Sequence, residues 1–404
     1  MVERVFCGRP VLPAERQVKI LRYMRKQETI CTHPSPGTQN HESAATSAIF
    51  PAVAYNYLNA EQLLYPGFFT TYNQKRLGEI VAELEGGELG LVFNSGMAAI
   101  STTILSLVKA GDHILFFNEL YGGTWRFATE ELPQRGIQCS FAENSLESFE
   151  AALQSNTRLV YLETPSNPLM SIIDLEEIAY WAKKHNLITL VDNTFATPIN
   201  QRPIALGIDI VLHSGTKYLG GHNDLPFGVM VANTTEYKST ILSTAKLYGG
   251  FLSALSCYEA ERSIKTLVLR VERQNENALK IAQYLESLAS VKKVFYPGLP
   301  AHKDYLIAKK QMSGFGGMMS FELDCTPDEL PVFLSELSII KPALSLGGVE
   351  SLICVPAATS HSGMTKAERN TMGISDSLIR LSVGIENCQD LIEDIAIALN
   401  SIGK

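Results

Sequence analysis

Several features that would place this chain in other classes of protein are missing from its sequence. It has no basic excess, because 34 Lys and Arg face 42 Asp and Glu and the formal net charge is −8. Proteins that bind nucleic acid or anionic membranes usually carry the opposite balance. No apolar stretch approaches the roughly 18 residues that a membrane span needs, and the N-terminal segment has no apolar core typical of a secretory signal. We therefore expect neither a nucleic-acid partner nor a membrane partner.

Paired cysteines are also missing. The seven cysteines are widely scattered, and none forms a C-x-x-C pair. An odd and dispersed set in a large chain indicates reduced thiols and favours a cytoplasmic protein. The spacing of the cysteines supports no zinc site, and His213 and His222, which flank a lysine, suit no metal motif either. We predict structural histidines and no bound metal.

The composition that is present fits an ordinary globular enzyme, with 46% hydrophobic and 19% charged residues among 404. From residue 77 onward, helical patterns alternate with short apolar runs typical of buried strands. The predicted strands cover residues 89–93, 113–118, 137–142, 158–163, 188–192, 208–213 and 227–232. This alternation predicts an α/β fold whose mostly parallel sheet is sandwiched between helices.

The rhythm of the sequence changes twice and divides the chain into three regions. Residues 1–70 show little periodicity and are predicted to form an N-terminal arm, with a short helix over 14–27. Residues 71–252 form the large domain. Residues 253–404 begin with a long linking helix and continue as a smaller α+β C-terminal domain.

The polar residues that follow the predicted strands are the first candidates for a site, because ligands of open parallel sheets bind beyond the carboxyl ends of the strands. These positions carry small residues that begin a helix, an aromatic ring, an amide, a carboxylate, two hydroxyls and an amine. They are Gly96, Met97, Tyr121, Asn167, Asp192, Ser214, Thr216 and Lys217.

This set of groups fits pyridoxal 5'-phosphate. That cofactor needs a lysine for covalent attachment, a carboxylate to keep its pyridine nitrogen protonated and a cup of donors for its phosphate. An aromatic ring such as Tyr121 can stack on the pyridine. A nicotinamide dehydrogenase is a weaker interpretation, because NSGMAA (94–99) lacks the G-x-G-x-x-G pattern.

Longer segments of the chain resemble one family. LEGGELGLVFNSGMAAI, LYGGTWR, LVYLETPSNP, VDNTFATP, HSGTKYLGGHND, SLGGVESL and ISDSLIRLSVGIE are similar to segments of the Cys/Met-metabolism family of pyridoxal-phosphate enzymes. That family contains cystathionine γ-synthases and lyases, methionine γ-lyases and homoserine-ester sulfhydrylases. The resemblance covers about residues 77–400. It implies an aspartate-aminotransferase-like fold (fold type I), a homodimer or homotetramer, and an amino-acid substrate.

The resemblance also implies a role for each candidate residue. Lys217 would bind the cofactor covalently and then transfer protons, Asp192 would pair with the pyridine nitrogen, and Tyr121 would stack on the ring and assist catalysis. The phosphate would lie against Gly96, Met97, Ser214 and Thr216, with Asn167 near the phenolic oxygen. The substrate would contact Arg380, which would grip its carboxylate, together with Ser345 and Arg126.

The reaction implied is elimination or replacement at the γ- or β-carbon of a cystathionine-, homoserine-ester- or methionine-like substrate (trans-sulfuration). Neither the carbon nor the choice between elimination and replacement follows from the sequence. Glu163 and Asp209 are interpreted as local structural acids.

Three positions depart from the family pattern. Members usually carry a Tyr-x-Arg that clamps the phosphate of a neighbouring subunit, but no arginine follows Tyr65 here, and Gly67 stands in its place. Leu344 precedes the SLGG segment, where members that handle cystathionine often have Glu. Gly123 stands where methionine γ-lyases typically have Cys. The altered clamp leaves one alternative, a non-catalytic relative that acts as a binding or assembly module.

Overall fold

The protein is described here by a computed structural model that covers residues 25–35, 44–58, 60–326, 328–360, 362 and 365–402. Most of the helix predicted over 14–27 lies outside these residues. The described part of the arm contains one short α-helix, α1 (Gln27–Thr32), and a 3-10 helix over Pro66–Phe68.

The first sheet has seven strands, and all of them were expected from the sequence. They are β1 (Leu89–Phe93), β2 (His113–Phe117), β3 (Gln138–Ala142), β4 (Thr157–Glu163), β5 (Ile188–Asp192), β6 (Ile210–Ser214) and β7 (Gly228–Ala232). Their spatial order is β1-β7-β6-β5-β4-β2-β3. Only β7 runs antiparallel to its neighbours, so the prediction of a mostly parallel sheet is confirmed.

Helices cover both faces of this sheet. They are α2 (Tyr72–Glu85), α3 (Gly96–Leu107), α4 (Gly122–Arg126), α5 (Leu132–Gln134), α6 (Leu146–Ala152), α7 (Leu175–Lys184), α8 (Thr197–Asn200) and α9 (Thr235–Tyr248). On one face, Phe116 packs in a cluster with Ile104 of α3. On the other face, Phe117 packs with Trp181 of α7. Alternate strand residues therefore face opposite helical layers, as the period of a strand requires.

The linking region contains two helices instead of the one predicted. Two residues separate α10 (Ala254–Ile264) from α11 (Leu267–Glu286). Thr266 Oγ1 donates to the carbonyl of Ser263, and Arg270 Nε donates to the same hydroxyl. A side chain that bonds the backbone in this way competes with the helical pattern, and the helix is interrupted there.

The second sheet has five strands in the order β10-β11-β12-β9-β8 and is mostly antiparallel. Its strands are β8 (Val291–Phe295), β9 (Met318–Leu323), β10 (Lys341–Pro342), β11 (Leu352–Cys354) and β12 (Leu378–Ser382). The helices around it are α12 (Tyr305–Gln311), α13 (Glu329–Glu336), α14 (Lys366–Thr371) and α15 (Cys388–Leu399). This is the α+β character expected of the C-terminal region. The domain boundaries at residues 71 and 252 stay a prediction.

Candidate active site

A cavity of about 640 Å³ opens at the carboxyl ends of the parallel strands and is closed on one side by residues of the second sheet. It brings together nearly all of the residues expected from the sequence. The lining includes Gly96, Met97, Tyr121, Asn167, Asp192, Ser214, Thr216, Lys217, Ser345 and Arg380.

Lys217 follows β6 and extends its amine into this cavity, where Nζ donates to Ser345 Oγ at 3.0 Å. Burial lowers the pKa of the Lys217 amine, and the positive charge of Arg380 lowers it further. Both effects favour the uncharged amine, which is the form that can attack a carbonyl or accept a proton. Ser345 has a φ of 91°, in the left-handed region that residues other than glycine rarely adopt. This strained serine holds the lysine amine in place.

Arg380 lies on β12 and is 5% exposed. Its Nη1 donates to Asn167 Oδ1 at 3.0 Å, and its Nη2 donates to the carbonyl of Ser345 at 3.5 Å. Among the described residues no carboxylate forms an ion pair with it. A buried guanidinium without an acidic partner is suited to binding a carboxylate of a ligand through two parallel hydrogen bonds.

Asp192 is the last residue of β5 and is also buried. Its Oδ1 accepts hydrogen bonds from the backbone N–H of Thr194, at 3.0 Å, and from the Thr194 hydroxyl. The same hydroxyl accepts a hydrogen bond from the backbone N–H of Ser214 at 2.8 Å. Burial raises the pKa of Asp192, and the Thr194 hydrogen bonds oppose that rise. The threonine thus connects the carboxylate to the strand that carries Lys217.

The other end of the cavity offers a cradle for an anion. α3 begins at Gly96 with its free N–H groups, and Ser95 caps it by accepting from Ala98 N at 3.1 Å. Ser214 lies so close that a Cβ on Gly96 would be 2.9 Å from Ser214 Oγ, so only glycine fits there. The hydroxyl of Thr216 is bonded to the backbone of Phe227. A helix N-terminus with an adjacent hydroxyl binds phosphate well.

Tyr121 stands at the N-cap of α4 and is about half exposed toward the cavity. Its backbone N–H donates to Glu163 Oε2 at 2.8 Å. Arg126, at the end of the same helix, is not among the residues that line the cavity. Its guanidinium pairs with Glu130 at 2.9 Å on the surface. The place of Arg126 at the mouth of the pocket stays a prediction.

The two histidines have hydrogen-bond partners that fit structural roles. His213 Nε2 lies 2.6 Å from Glu85 Oε1, and both side chains are almost fully buried. His222 Nδ1 lies 2.8 Å from the carbonyl of Gly220. Within the described ranges no group of three potential metal ligands was found, and no helix there is long and apolar enough to span a membrane.

Several lining residues were not predicted from the sequence to belong to the site. They are Ser95, Glu163, Thr194, Phe195, Thr359 and Ser360. Glu163 could have been found, since it ends a predicted strand next to the strand of Asp192. Thr359 and Ser360 follow no regular pattern, and nothing in the sequence pointed to them.

The residues present fit pyridoxal phosphate. The cavity holds an amine whose pKa is lowered, a buried carboxylate that forms no salt bridge among the described side chains, and a helix N-terminus pressed against Ser214. Lys217 would hold the cofactor covalently, Asp192 would bind its ring nitrogen, and the start of α3 would hold its phosphate.

Comparisons with known proteins agree with this geometry. The family model described as Cys/Met metabolism PLP-dependent enzyme matches residues 28–400. Cystathionine beta-lyase of Lactococcus lactis subsp. cremoris (strain MG1363) is 49% identical over 326 residues, which are 80% of this chain and 85% of that protein.

Two solved structures are similar along almost their whole length. The crystal structure of cystathionine gamma-lyase from Lactobacillus plantarum, complexed with L-serine, has a TM-score of 0.89 and 39% identity, over 94% of this chain and 99% of that chain. Cystathionine gamma synthase from Xanthomonas oryzae pv. oryzae, in complex with cystathionine, has a TM-score of 0.90 and 36% identity, over 93% of this chain and 98% of that chain.

The fold and the cavity define a pyridoxal-phosphate enzyme of fold type I, and the aspartate-aminotransferase-like arrangement expected from the sequence is confirmed. The chain belongs to the Cys/Met metabolism family of PLP-dependent enzymes. Its cofactor is pyridoxal 5'-phosphate, and its place is in the metabolism of sulfur amino acids.

Proposed function

We propose that this enzyme removes a sulfur-containing substituent from an α-amino acid, as a C–S lyase. The observation that carries the proposal is the arrangement around Ser345. Its hydroxyl accepts from Lys217 Nζ at 3.0 Å, and its carbonyl accepts from Arg380 Nη2 at 3.5 Å. One residue therefore places the amine that moves protons beside the guanidinium that binds carboxylates.

In this proposal each side chain has a defined task. Arg380 binds the α-carboxylate in a two-point contact, so that the Cα–H bond of the substrate lies near Lys217. Lys217 accepts the Cα proton, since its lowered pKa leaves the amine more often uncharged. Bound pyridoxal phosphate supplies the conjugated ring that accepts the electron pair left at Cα. Asp192 keeps a negative charge available for the ring nitrogen.

The outer part of the cavity supports a preference for substrates with an uncharged distal group. Leu344 lines the cavity and is 67% exposed, and Thr359 and Ser360 also border it. None of these three side chains carries a charge that could form an ion pair with the distal ammonium or carboxylate of cystathionine. A methionine-like thioether or a homoserine ester needs no such pairing, and burying its apolar end against Leu344 is favourable.

The test is a product screen with cystathionine, methionine, cysteine and O-acyl-homoserine, each with and without a thiol. We expect a 2-oxo acid and ammonia from a substrate with an uncharged end, with the wild type favouring methionine over cystathionine in kcat/KM. Leu344→Glu should reverse that preference, and Leu344→Met is the matched control that should leave it unchanged. Thioether formation from the homoserine ester as the faster reaction would replace the lyase proposal with a synthase.

The alternative of a non-catalytic module has no support in the cavity, because Lys217, Asp192 and Arg380 all line it. The absence of turnover on every substrate of the screen, in protein with full cofactor occupancy, would favour that alternative.

We also propose a homo-oligomer. Large apolar side chains are exposed along the arm and at the nearby end of α9, where Tyr57 is 70% and Leu247 is 84% exposed. A second copy of the chain would bury them, and sedimentation at micromolar concentration would test this. A cytoplasmic location is proposed from the cysteines, because those described, from Cys31 to Cys388, are all free.

A further inference from the structure

Two acids lie side by side at the floor of the cavity. Glu163 is the last residue of β4, Asp192 is the last residue of β5, and the two are paired in the parallel register of these strands. They are 5% and 6% exposed, and both line the cavity. Within the described part of the chain, neither forms an ion pair. Two ionised carboxylates that are buried side by side repel each other, at a large cost in electrostatic free energy.

The hydrogen bonds favour Asp192 as the anion of the pair. Asp192 accepts two hydrogen bonds from Thr194. Glu163 accepts one, from the backbone N–H of Tyr121. Donors stabilise the ionised form of an acid, so the negative charge is better supported on Asp192.

The surroundings of Glu163 act in the same direction. Burial raises the pKa of Glu163 well above its usual range, and the negative charges of Asp192 and Glu119 raise it further. Glu119 is itself engaged with Ser171 and lies 3.9 Å from Lys303. The cations of the cavity, Lys217 and Arg380, are bonded to Ser345 and not to Glu163.

We propose that Glu163 is a positioning residue that works as a neutral, protonated acid: it fixes the start of α4 through the Tyr121 backbone and leaves Asp192 as the single anion at the cofactor ring. Glu163 would act through Tyr121, which is the ring expected to stack on the cofactor. The proposal rests on the cavity being the cofactor site, and it does not depend on which substrate is cleaved.

The sharpest test compares Glu163→Gln with Glu163→Leu in a titration of cofactor-free enzyme with pyridoxal phosphate. Gln keeps the acceptor for Tyr121 and mimics a protonated acid, so its Kd should stay within about twofold of wild type. Leu removes the acceptor, so its Kd should rise about three- to tenfold. An equal loss in both variants would mean that the charge of Glu163 is needed, and would overturn the proposal.

A double-mutant cycle tests whether Glu163 acts through Tyr121. In a Tyr121→Ala background, Glu163→Leu should change the Kd for pyridoxal phosphate by less than about twofold, because the ring that it positions is gone. If the effects of the two substitutions multiply fully, Glu163 acts independently of Tyr121 and the positioning role is wrong.

Thermal unfolding of the cofactor-free protein gives a readout that is independent of cofactor and turnover. A glutamate whose pKa is raised by folding binds its proton more tightly in the folded state, so stability falls as pH rises above the unfolded pKa. Wild type should therefore lose stability relative to Glu163→Gln as the pH rises above the usual glutamate pKa of about 4.3. Parallel Tm profiles for the two proteins would contradict a protonated Glu163, even if the Leu variant failed to fold.

Discussion

Arg380 Nη1 donates a hydrogen bond to Asn167 Oδ1 at 3.0 Å, and this contact joins the second sheet to the loop that follows β4. Ser320 adds a second link, from its hydroxyl to the carbonyl of Pro168 at 2.7 Å. Because the Asn167 oxygen is occupied by Arg380, the amide nitrogen is the group left to face a ligand. The guanidinium and the amide therefore hold each other in the orientation that an amino-acid substrate and its cofactor require.

Arg380→Lys should lower kcat/KM for α-amino-acid substrates by about ten- to a hundredfold, because an ammonium cannot reproduce a planar two-point contact with a carboxylate. The loss corresponds to one charge-assisted hydrogen bond, about 1.5–3 kcal/mol. Arg126→Lys is the matched control, since Arg126 pairs with Glu130 on the surface. Steady-state kinetics that showed no loss for Arg380→Lys would remove Arg380 from the carboxylate site, and a loss for Arg126→Lys would support a substrate contact at the mouth.

Because residue 67 is glycine, we expect the protein to retain pyridoxal phosphate weakly. The family pattern places an arginine here that clamps the phosphate of a neighbouring subunit, and this chain has glycine at that position. A Cβ at Gly67 would lie 3.0 Å from the Tyr65 ring and 4.0 Å from the Phe251 ring. The close neighbour is the outer edge of a half-exposed side chain and not backbone. Gly67→Arg should therefore be tolerated and should tighten cofactor binding about ten- to a hundredfold.

The measurement for Gly67 is cofactor retention on dialysis, with Gly67→Ala as the control for the added Cβ. Wild type should lose pyridoxal phosphate faster than Gly67→Arg, and Gly67→Ala should behave like wild type. Equal retention in all three proteins would show that another group already holds the phosphate.

His213 should matter for stability and not for metal binding. His213→Leu leaves the buried Glu85 with only the Asn193 amide as a donor, and Glu85 Oε2 already has no partner among the described residues. Breaking such a buried pair costs about 3–5 kcal/mol. His222→Leu, which loses one hydrogen bond to Gly220, should cost about 1 kcal/mol. Urea unfolding would give the free energy of unfolding of both variants. Equal losses would mean that the contact between His213 and Glu85 contributes little to stability.

Much of the site was predictable because parallel strands end at one edge of a sheet. Asp192 and Lys217 follow different strands more than twenty residues apart, yet the topology brings both to one cavity. Arg126 shows the limit of this reasoning. The i,i+4 spacing of Arg126 and Glu130 was a readable sign of an ion pair on a helix, whereas the direction in which a side chain of that helix points depends on tertiary packing.

The ends of the helices were also only partly predictable from the sequence. α2 begins at Tyr72, five residues before the predicted start, where Thr71 and Gln74 form a capping box. That signal was present in the sequence as T-x-x-Q. The break before Leu267 was not readable, since it depends on Thr266 and Arg270 bonding the preceding turn. Glu163 ends a predicted strand, as Asp192 does, and that signal was readable. Its place directly beside Asp192 follows only from the register of the folded sheet.

Borohydride reduction of the protein loaded with pyridoxal phosphate, followed by peptide mass spectrometry, tests most directly whether this cavity is the active site. We expect the cofactor to be fixed on the peptide that contains Lys217. We also expect Lys217→Ala to fold with an unchanged circular dichroism spectrum, to carry no fixed cofactor and to lose nearly all turnover. Cofactor fixed at another lysine in either protein, or wild-type turnover in the variant, would contradict the assignment of this cavity as the active site.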